Sequence, residues 1–279
     1  MKIASSEEMP SIQEFFPSIK NDLTKVTWAH YVDSNVALEV ALKSKVMMIV
    51  SDVDAIFKPS LSRKNNKVFP IMKRSPGVRR GYTLQQFMKK VSDAKSVAVK
   101  LNFDRIIIFE ESIKILKDMI GKIKFPLWLN ADTDKMEDKD IDKFLSLCTH
   151  NFPKATISIG MLHKGQKIGS ERGYNAKLVT QMKDTLTRNN VTQTVAFPVD
   201  AFLAAYSVDT LPALKDVQGI TDSALYMYSL SLFNKDVYVV QAGPRTEGRC
   251  NPFYGSQCYK LSSPLPVRPV LPTQVPSLA

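Results

Sequence analysis

The feature that most constrains the fold is a regular alternation of apolar, strand-like runs with amphipathic, helix-like stretches. Eight runs resemble buried strands, at residues 25–29, 46–53, 97–101, 126–131, 155–160, 194–198, 224–230 and 237–241. Helical patterns lie between them, at residues 36–43, 84–92, 110–122, 139–152 and 176–188, with a weaker one at 210–215. Such alternation in about 220 residues predicts an α/β fold, and favours a closed (β/α)8 TIM barrel over an open doubly wound sheet.

The ends of the chain differ from this central region. We expect a lead at residues 1–24, the barrel at residues 25–245 and a tail at residues 246–279. No helical pattern follows the eighth run, so the last barrel helix is expected to be atypical or missing. The tail is irregular and rich in proline, a composition typical of disordered segments.

The chain has a formal net charge of +11, and its basic residues are concentrated in one segment. Residues 58–90 contain ten Lys and Arg and no Asp or Glu, among them Lys73, Arg74, Arg79 and Arg80. This segment is either a solvated surface loop or a surface for a polyanion. Nucleic acid is not expected, because aromatic residues do not alternate with the basic ones as base stacking requires.

The sequence also makes a prediction about location. No run reaches the roughly 18 apolar residues of a membrane-spanning helix. The first residues, MKIASSEEMPSIQEF, contain acids where a signal peptide has an apolar region. The chain as written is therefore expected in the cytoplasm.

Polar residues follow several of the predicted strands, where the active site of a TIM barrel lies. The first such residue is His30, and the others are Asp52, Asp54, Lys100, Asn102, Asn130 and Asp132. Asp52 and Asp54 are two residues apart, so both side chains point to the same side of a strand. Their carboxylates either belong to a site for Mg²⁺ or Ca²⁺ or solvate the end of the strand.

Several phrases carry a resemblance to a known family. SIQEFFPS, TWAHYVDS, FPIMKRSP, VAVKLNFD, PLWLNAD and VAFPVDA, in this order, resemble the menorin family, also called family with sequence similarity 151, and especially its shorter members. The resemblance implies a barrel of the phospholipase-C-like phosphodiesterase type, similar to glycerophosphodiester phosphodiesterases. In that group two histidines perform acid–base chemistry, and Glu and Asp residues hold a divalent cation. It also implies extracellular roles, as an alternative to the cytoplasm.

When this chain is matched to the family position by position, several of the implied site residues are replaced. His30 matches the first histidine and Asp52 a retained ligand, but the family's Glu is Val50, its second histidine is Arg74 and one Asp is Asn102. Val50 offers no ligand atom and Asn102 only a neutral carbonyl. An arginine does not exchange protons as a histidine does, and a positioned acid or base is worth about 10²–10⁴ in rate.

Three hypotheses follow from these residues. The preferred one is a catalytically degenerate phosphodiesterase-fold protein without a cofactor, which binds a protein partner or an anionic ligand. The first alternative is a divergent phosphodiesterase on small phosphodiesters or lysophospholipids. It would use His30, Lys100 and a Mg²⁺ or Ca²⁺ ion held by Asp52, Asp54, Asn102 and Asp132. The second alternative is a polyanion-binding protein that makes its contacts through the basic segment at residues 58–90. The candidate binding residues are Lys73, Arg79, Arg80 and Asn130.

Overall fold

The chain forms a curled α/β sheet with helices between its parallel strands. The structure, a computed structural model, describes residues 9–59, 67–73, 82–160, 173–228 and 237–241. The strands are β1 (Trp28–Ala29), β2 (Met48–Lys58), β3 (Lys67–Met72), β4 (Ala98–Phe103), β5 (Leu127–Ala131), β6 (Thr156–Ile159), β7 (Val195–Asp200), β8 (Ser223–Tyr228) and β9 (Val237–Gln241). The α-helices are α1 (Ile12–Phe15), α2 (Asn35–Lys43), α3 (Leu84–Ala94), α4 (Ile106–Asp118), α5 (Asp138–Asn151), α6 (Ala176–Arg188) and α7 (Ala201–Ala205).

Seven of the described strands are parallel and neighbour one another in chain order, β1-β2-β4-β5-β6-β7-β8. Two strands run antiparallel to this set: β3 forms a hairpin with β2, and β9 pairs with β8. The predicted TIM-barrel class of fold is confirmed. The prediction that the strand at residues 237–241 would be parallel is wrong, and the hairpin strand β3 was not predicted. The region expected to hold an atypical last helix and the tail at residues 246–279 lie outside the described residues.

The curl of the sheet is evident from rings that meet across it. Trp28 on β1 and Tyr226 on β8 are six strand positions apart, which in a flat sheet would separate them by about 29 Å. Their ring centroids are 4.9 Å apart, and Trp28 also meets Trp128 on β5 at 5.8 Å. The sheet therefore wraps round until its first and last parallel strands contact each other through side chains.

Alternation along the strands divides the core into two layers. On β4, Val99, Leu101 and Phe103 join the large cluster beneath the helices, whereas Ala98 faces the interior of the barrel. The interior cluster also contains Met48, Val50, Trp128, Ala196, Ala224 and Tyr226. Ile12, Ile19 and Leu23 of the predicted lead pack into this same interior cluster, so these residues are part of the barrel core.

Local sequence signals place the helices around this sheet. Thr83 caps α3 by accepting a hydrogen bond from the Gln86 amide, and the Gln86 side chain accepts one from the Thr83 amide in return. Ser34 and Asn175 cap α2 and α6 in a similar way. Because each of these helices follows a strand or hairpin in the chain, the capping residues lie towards the carboxyl end of the sheet.

Candidate functional site

Polar side chains from neighbouring strands meet in a cavity of about 360 Å³ at the carboxyl end of the sheet. Seven of the residues predicted for the site line it: Asp52, Asp54, Lys73, Lys100, Asn102, Asn130 and Asp132. They come together because β2, β4 and β5 are adjacent and in register, with Asp52 opposite Asn102 and Asn102 opposite Asn130. We call this cavity the mouth.

Asp52 has both carboxylate oxygens engaged by its own chain. The Lys73 Nζ atom lies 3.1 Å from Asp52 Oδ2, and Asn102 Nδ2 donates a hydrogen bond of 2.8 Å to Oδ1. The ion pair raises the pKa of Lys73. The Asp52 amide donates to Asp33 Oδ1 at 2.8 Å, which ties the strand to the loop after β1. The carboxylate is therefore fixed from several sides.

Asp33 is the nearest partly buried acid behind this carboxylate. Burial raises the pKa of Asp33 to about 6, and the negative charge of Asp52 acts in the same direction. The hydrogen bond from the Asp52 amide and the charge of Lys73 oppose this rise. Asp33 thus exchanges its proton at a higher pH than an ordinary aspartate.

Lys100 is the buried cation at the base of the mouth, with only 4% of its surface exposed. Its Nζ atom donates to Asn102 Oδ1 at 2.7 Å and lies 5.1 Å from the centre of the Tyr226 ring. Burial lowers the pKa of Lys100 to about 7, against the opposing charges of Asp52 and Asp132. The direct hydrogen-bond acceptor of this ammonium among the described residues is thus a neutral amide rather than a carboxylate.

The other two candidate carboxylates hold basic residues of their own chain. Arg105 Nη2 lies 2.8 Å from Asp54 Oδ1, and Lys135 Nζ lies 2.8 Å from Asp132 Oδ2. Both basic residues were missed in the sequence, although each follows closely the end of a predicted strand. Both pairs are partly exposed, so they contribute little to stability and mainly neutralise the carboxylates.

Asn130 is held at the side of the mouth by the adjacent strand. Ser158 on β6 donates a hydrogen bond of 2.6 Å to Asn130 Oδ1, and both residues are buried. This contact uses the amide oxygen of Asn130 and leaves its amide nitrogen to donate. The side chain of Asn130 is therefore positioned to donate hydrogen bonds.

His30 lies in the loop after β1, between the aromatic interior and the mouth. Its ring stacks at 6.1 Å and 14° on Trp28. Burial lowers the pKa of His30 to about 4, assisted by the charge of Lys100 and opposed by that of Asp52. The Nε2 atom is buried and has no hydrogen-bond partner among the residues that the structure describes. His30 is therefore a neutral imidazole near pH 7.

The oxygen atoms that a divalent cation would need at the mouth already have partners within the chain. Mg²⁺ and Ca²⁺ need six or more oxygen ligands, several of them anionic. The oxygens of Asp52 already accept from Lys73 and Asn102, while the oxygen of Asn102 accepts from Lys100. Val50, at the position of the family's Glu, is 5% exposed in the apolar interior. Across the part of the chain that the structure describes, no three His, Cys, Asp or Glu residues are grouped so as to hold a metal ion.

Three basic candidates, Arg74, Arg79 and Arg80, lie outside the described residues. Of the basic candidates on the same segment, the structure places Lys73 at the site. Asp33 and Tyr226 were not singled out in the sequence. Tyr226 is inward-facing on β8, which the alternation along that strand would have indicated.

Within the described ranges, none of the helices combines the length and the apolar character needed to cross a membrane. A crystal structure of a glycerophosphodiester phosphodiesterase from Parabacteroides distasonis is similar in shape to this chain. The identity is 15%, the TM-score 0.43, and the match covers 73% of this chain and 84% of the other.

The sequence comparisons identify the family. The human protein FAM151B is 29% identical over 195 residues, which are 68% of each chain. The family model of the menorin N-terminal domain matches residues 22–242, which include every described strand of the curled sheet and the whole mouth. This chain belongs to the menorin family.

Proposed function

We propose that this menorin-family protein has lost metal-dependent hydrolysis and acts by binding a small anionic ligand in the mouth. The observation that carries the proposal is the pairing of the three candidate metal-binding carboxylates with basic residues of the same chain. Asp52, Asp54 and Asp132 hold Lys73, Arg105 and Lys135, respectively. The basic side chains thus occupy the positions beside these carboxylates where a metal ion would have to bind.

Lys100 supplies the attraction for an anion. A buried charge is costly unless it is paired, and the direct acceptor of this ammonium is the neutral oxygen of Asn102. A phosphate or carboxylate group beside Lys100 would provide the missing charge and would raise the pKa of Lys100 again. Asn130, whose oxygen is taken by Ser158, would donate from its nitrogen to the same group.

The outer part of the mouth carries more acidic than basic side chains. Asp104 and Asp134 line the cavity beyond the strand ends that carry Asn102 and Asn130, together with Lys135 and with Arg105, whose Nε atom lies 3.5 Å from Asp104 Oδ1. A ligand with an anionic group at the base and a cationic group at the opening suits this distribution better than a simple anion. O-phosphoethanolamine has this arrangement and is a suitable probe.

His30 has a limited role in this proposal. A neutral imidazole accepts a proton, but its low pKa makes it a weak base at neutral pH. Arg74 stands where the family has its second histidine, and an arginine does not serve as a general acid. We therefore propose that His30, which is not among the described residues that line the mouth, packs against Trp28 and does not run a catalytic cycle.

The test is thermal denaturation with added ligands. Phosphate and O-phosphoethanolamine should raise the melting temperature, the latter more, because a ligand that binds the native state stabilises it by RT ln(1 + [L]/Kd). Lys100→Met should remove the shift, while Lys45→Met, an exposed lysine before β2, should keep it. Millimolar Mg²⁺ and Ca²⁺ should cause no shift.

Two outcomes would contradict the proposal. A metal-dependent rise that Asp52→Asn abolishes would identify a working cation site and would favour the phosphodiesterase alternative. An anion effect that Lys100→Met leaves intact would place anion binding elsewhere, for example on the basic segment of residues 58–90.

A further inference from the structure

Exposed apolar side chains are concentrated at the end of the barrel that holds the mouth. Of the seven large apolar residues that are exposed in the described ranges, five lie at the carboxyl end of the sheet: Tyr31, Val36, Phe57, Phe69 and Ile107. Tyr31 and Val36 follow β1, the two phenylalanines lie on the β2–β3 hairpin, and Ile107 is in the first turn of α4. We call these five residues and the adjacent Lys58 and Lys67 the rim.

The rim occupies one side of the mouth. Its residues come from the segments after β1, β2 and β4, which are consecutive neighbours in the sheet. Tyr31 adopts a left-handed backbone conformation with φ of 57° and is 58% exposed. A non-glycine residue seldom adopts that conformation.

The hairpin is the most prominent part of the rim. β4 pairs with β2 up to Val53, and the following residues, 54–58, pair only with β3. Five residues of this two-stranded ribbon extend about 16 Å beyond the last β4 pairing. Phe57 lies opposite Val68 and Phe69 opposite Ile56, so the two rings are on opposite faces and do not cover each other.

Each hairpin ring is accompanied by a basic residue. Arg105 lies 5.1 Å from the centre of the Phe57 ring, and Lys58 Nζ lies 5.2 Å from that of Phe69. Lys58 and Lys67 form no ion pair with any residue that the structure describes. Residues 55–92 of the sequence contain ten basic residues and no acid, a composition that favours an anionic partner for the hairpin.

We infer that the rim docks on an anionic lipid bilayer. Aromatic and aliphatic side chains flanked by lysine are typical of segments that enter the interface of a bilayer while the basic groups meet lipid phosphates. The apolar residues are spread along an arc and do not line a pocket, so they suit a fluid surface better than a shaped protein partner. Docking turns the mouth towards the lipid headgroups, yet it does not require that the mouth bind them.

The experiment is co-sedimentation of the full chain with vesicles. Vesicles of phosphatidylcholine mixed with phosphatidylserine should retain the protein, and vesicles of pure phosphatidylcholine should not. Retention should fall with added salt, because surface charges are screened. Phe57→Ser/Phe69→Ser and Lys58→Gln/Lys67→Gln should each reduce the partition coefficient by about tenfold or more.

Matched controls come from the opposite end of the barrel. Ile120→Ser and Lys45→Gln/Lys122→Gln change exposed residues near the amino ends of the strands and should leave retention unchanged. Thermal denaturation of every variant checks that it folds. Inorganic phosphate at constant ionic strength should not release the protein, which separates the rim from anion binding in the mouth.

Three results would overturn the inference. The first is no retention on phosphatidylserine vesicles at low salt. The second is equal loss in the rim and control variants, which would mean that overall positive charge is responsible. The third is a large loss of thermal stability in Phe57→Ser/Phe69→Ser, which would show that the chain itself covers these rings.

Discussion

Asn102 Nδ2 donates a 2.8 Å hydrogen bond to Asp52 Oδ1, between two residues that face each other in the β2–β4 register. Where two carboxylates would stand together in the family's pattern, this chain has a carboxylate and an amide. An amide donates to its neighbour and needs no cation between them. Lys73 then neutralises the remaining oxygen of Asp52, so both oxygens of this carboxylate have partners from the chain itself.

The first prediction concerns restored metal binding. Lys73→Ala/Asn102→Asp removes the bound ammonium and returns a second carboxylate, so calorimetry should show Mg²⁺ and Ca²⁺ binding at least about tenfold tighter than in the natural chain. Lys45→Ala is the matched control and should not change binding. Val50→Glu is unsuitable for this test because it would bury a carboxylate in the apolar interior.

Two results would contradict this prediction. If the natural chain binds either ion with micromolar affinity and Asp52→Asn abolishes it, the ion pairs at the mouth do not exclude metals. If neither protein binds an ion, the geometry at Asp52 and Asn102 is insufficient even with two carboxylates.

The second prediction uses the lowered pKa of Lys100, which is about 7 in the folded chain. Between that pH and the ordinary lysine pKa near 10.4, the unfolded chain binds more protons, so the free energy of unfolding rises with pH. Relative to Lys100→Met, the natural chain should gain up to about 1.4 kcal/mol per pH unit across this window. Urea unfolding at several pH values measures the difference.

Lys73→Met is the control for this pH dependence. The pKa of Lys73 is raised by Asp52, so its contribution to stability is present below the ordinary lysine pKa and is lost only as the pH rises through the higher folded value. The difference between Lys73→Met and the natural chain should therefore be constant from pH 7 to about 9. A constant difference for Lys100→Met as well would contradict the burial argument.

The third prediction concerns Asp33, whose pKa is raised to about 6 by burial. Between its ordinary value and this one the folded chain binds more protons, so stability falls as the pH rises through that window. Asp33→Asn keeps an oxygen for the Asp52 amide and removes the charge, so it should raise the melting temperature at pH 7. At pH 4 the two proteins should melt alike, and a difference of equal size at both pH values would refute the electrostatic cause.

The fourth prediction concerns the segment before β1. Leu23 is 3% exposed in the interior cluster, so Leu23→Ala should lower the free energy of unfolding by about 2–5 kcal/mol. Val40→Ala, on the exposed face of α2, should change it by less than about 0.5 kcal/mol. Urea unfolding should stay a single transition in both variants. If Leu23→Ala lowers the free energy of unfolding by less than about 1 kcal/mol, the size of an average point mutation's effect, the segment is not part of the barrel core.

Much of the barrel could be predicted from the sequence because its strands and helices have different hydrophobic periods. The β4 strand and the α3 and α6 helices lie where the patterns indicate. The orientation of β9 was missed because a strand pattern is the same in both directions. Only eight residues separate Tyr228 from Val237, which is too short for a parallel crossover, so the length of this connection was the available signal.

The candidate site was predictable in position but not in chemistry. The strand-end rule found Asp52, Lys100 and Asn102, because parallel strands bring their carboxyl ends together. Arg105 and Lys135, which neutralise Asp54 and Asp132, are placed by loop conformation, and loops have no periodic sequence pattern. The burial that lowers the pKa of Lys100 depends on Tyr226, about 125 residues away in sequence, and so follows from packing alone.

The seating of Ile12, Ile19 and Leu23 among Ala196, Ala224 and Tyr226 has a consequence for biosynthesis. These contacts join segments about 200 residues apart, so closing them carries the entropic cost of a very long loop. During translation at roughly 5–20 residues per second, the early segment emerges about ten seconds or more before its partners leave the ribosome. It must wait with its apolar side chains uncovered, which makes this stretch a natural place for a chaperone to hold the nascent chain.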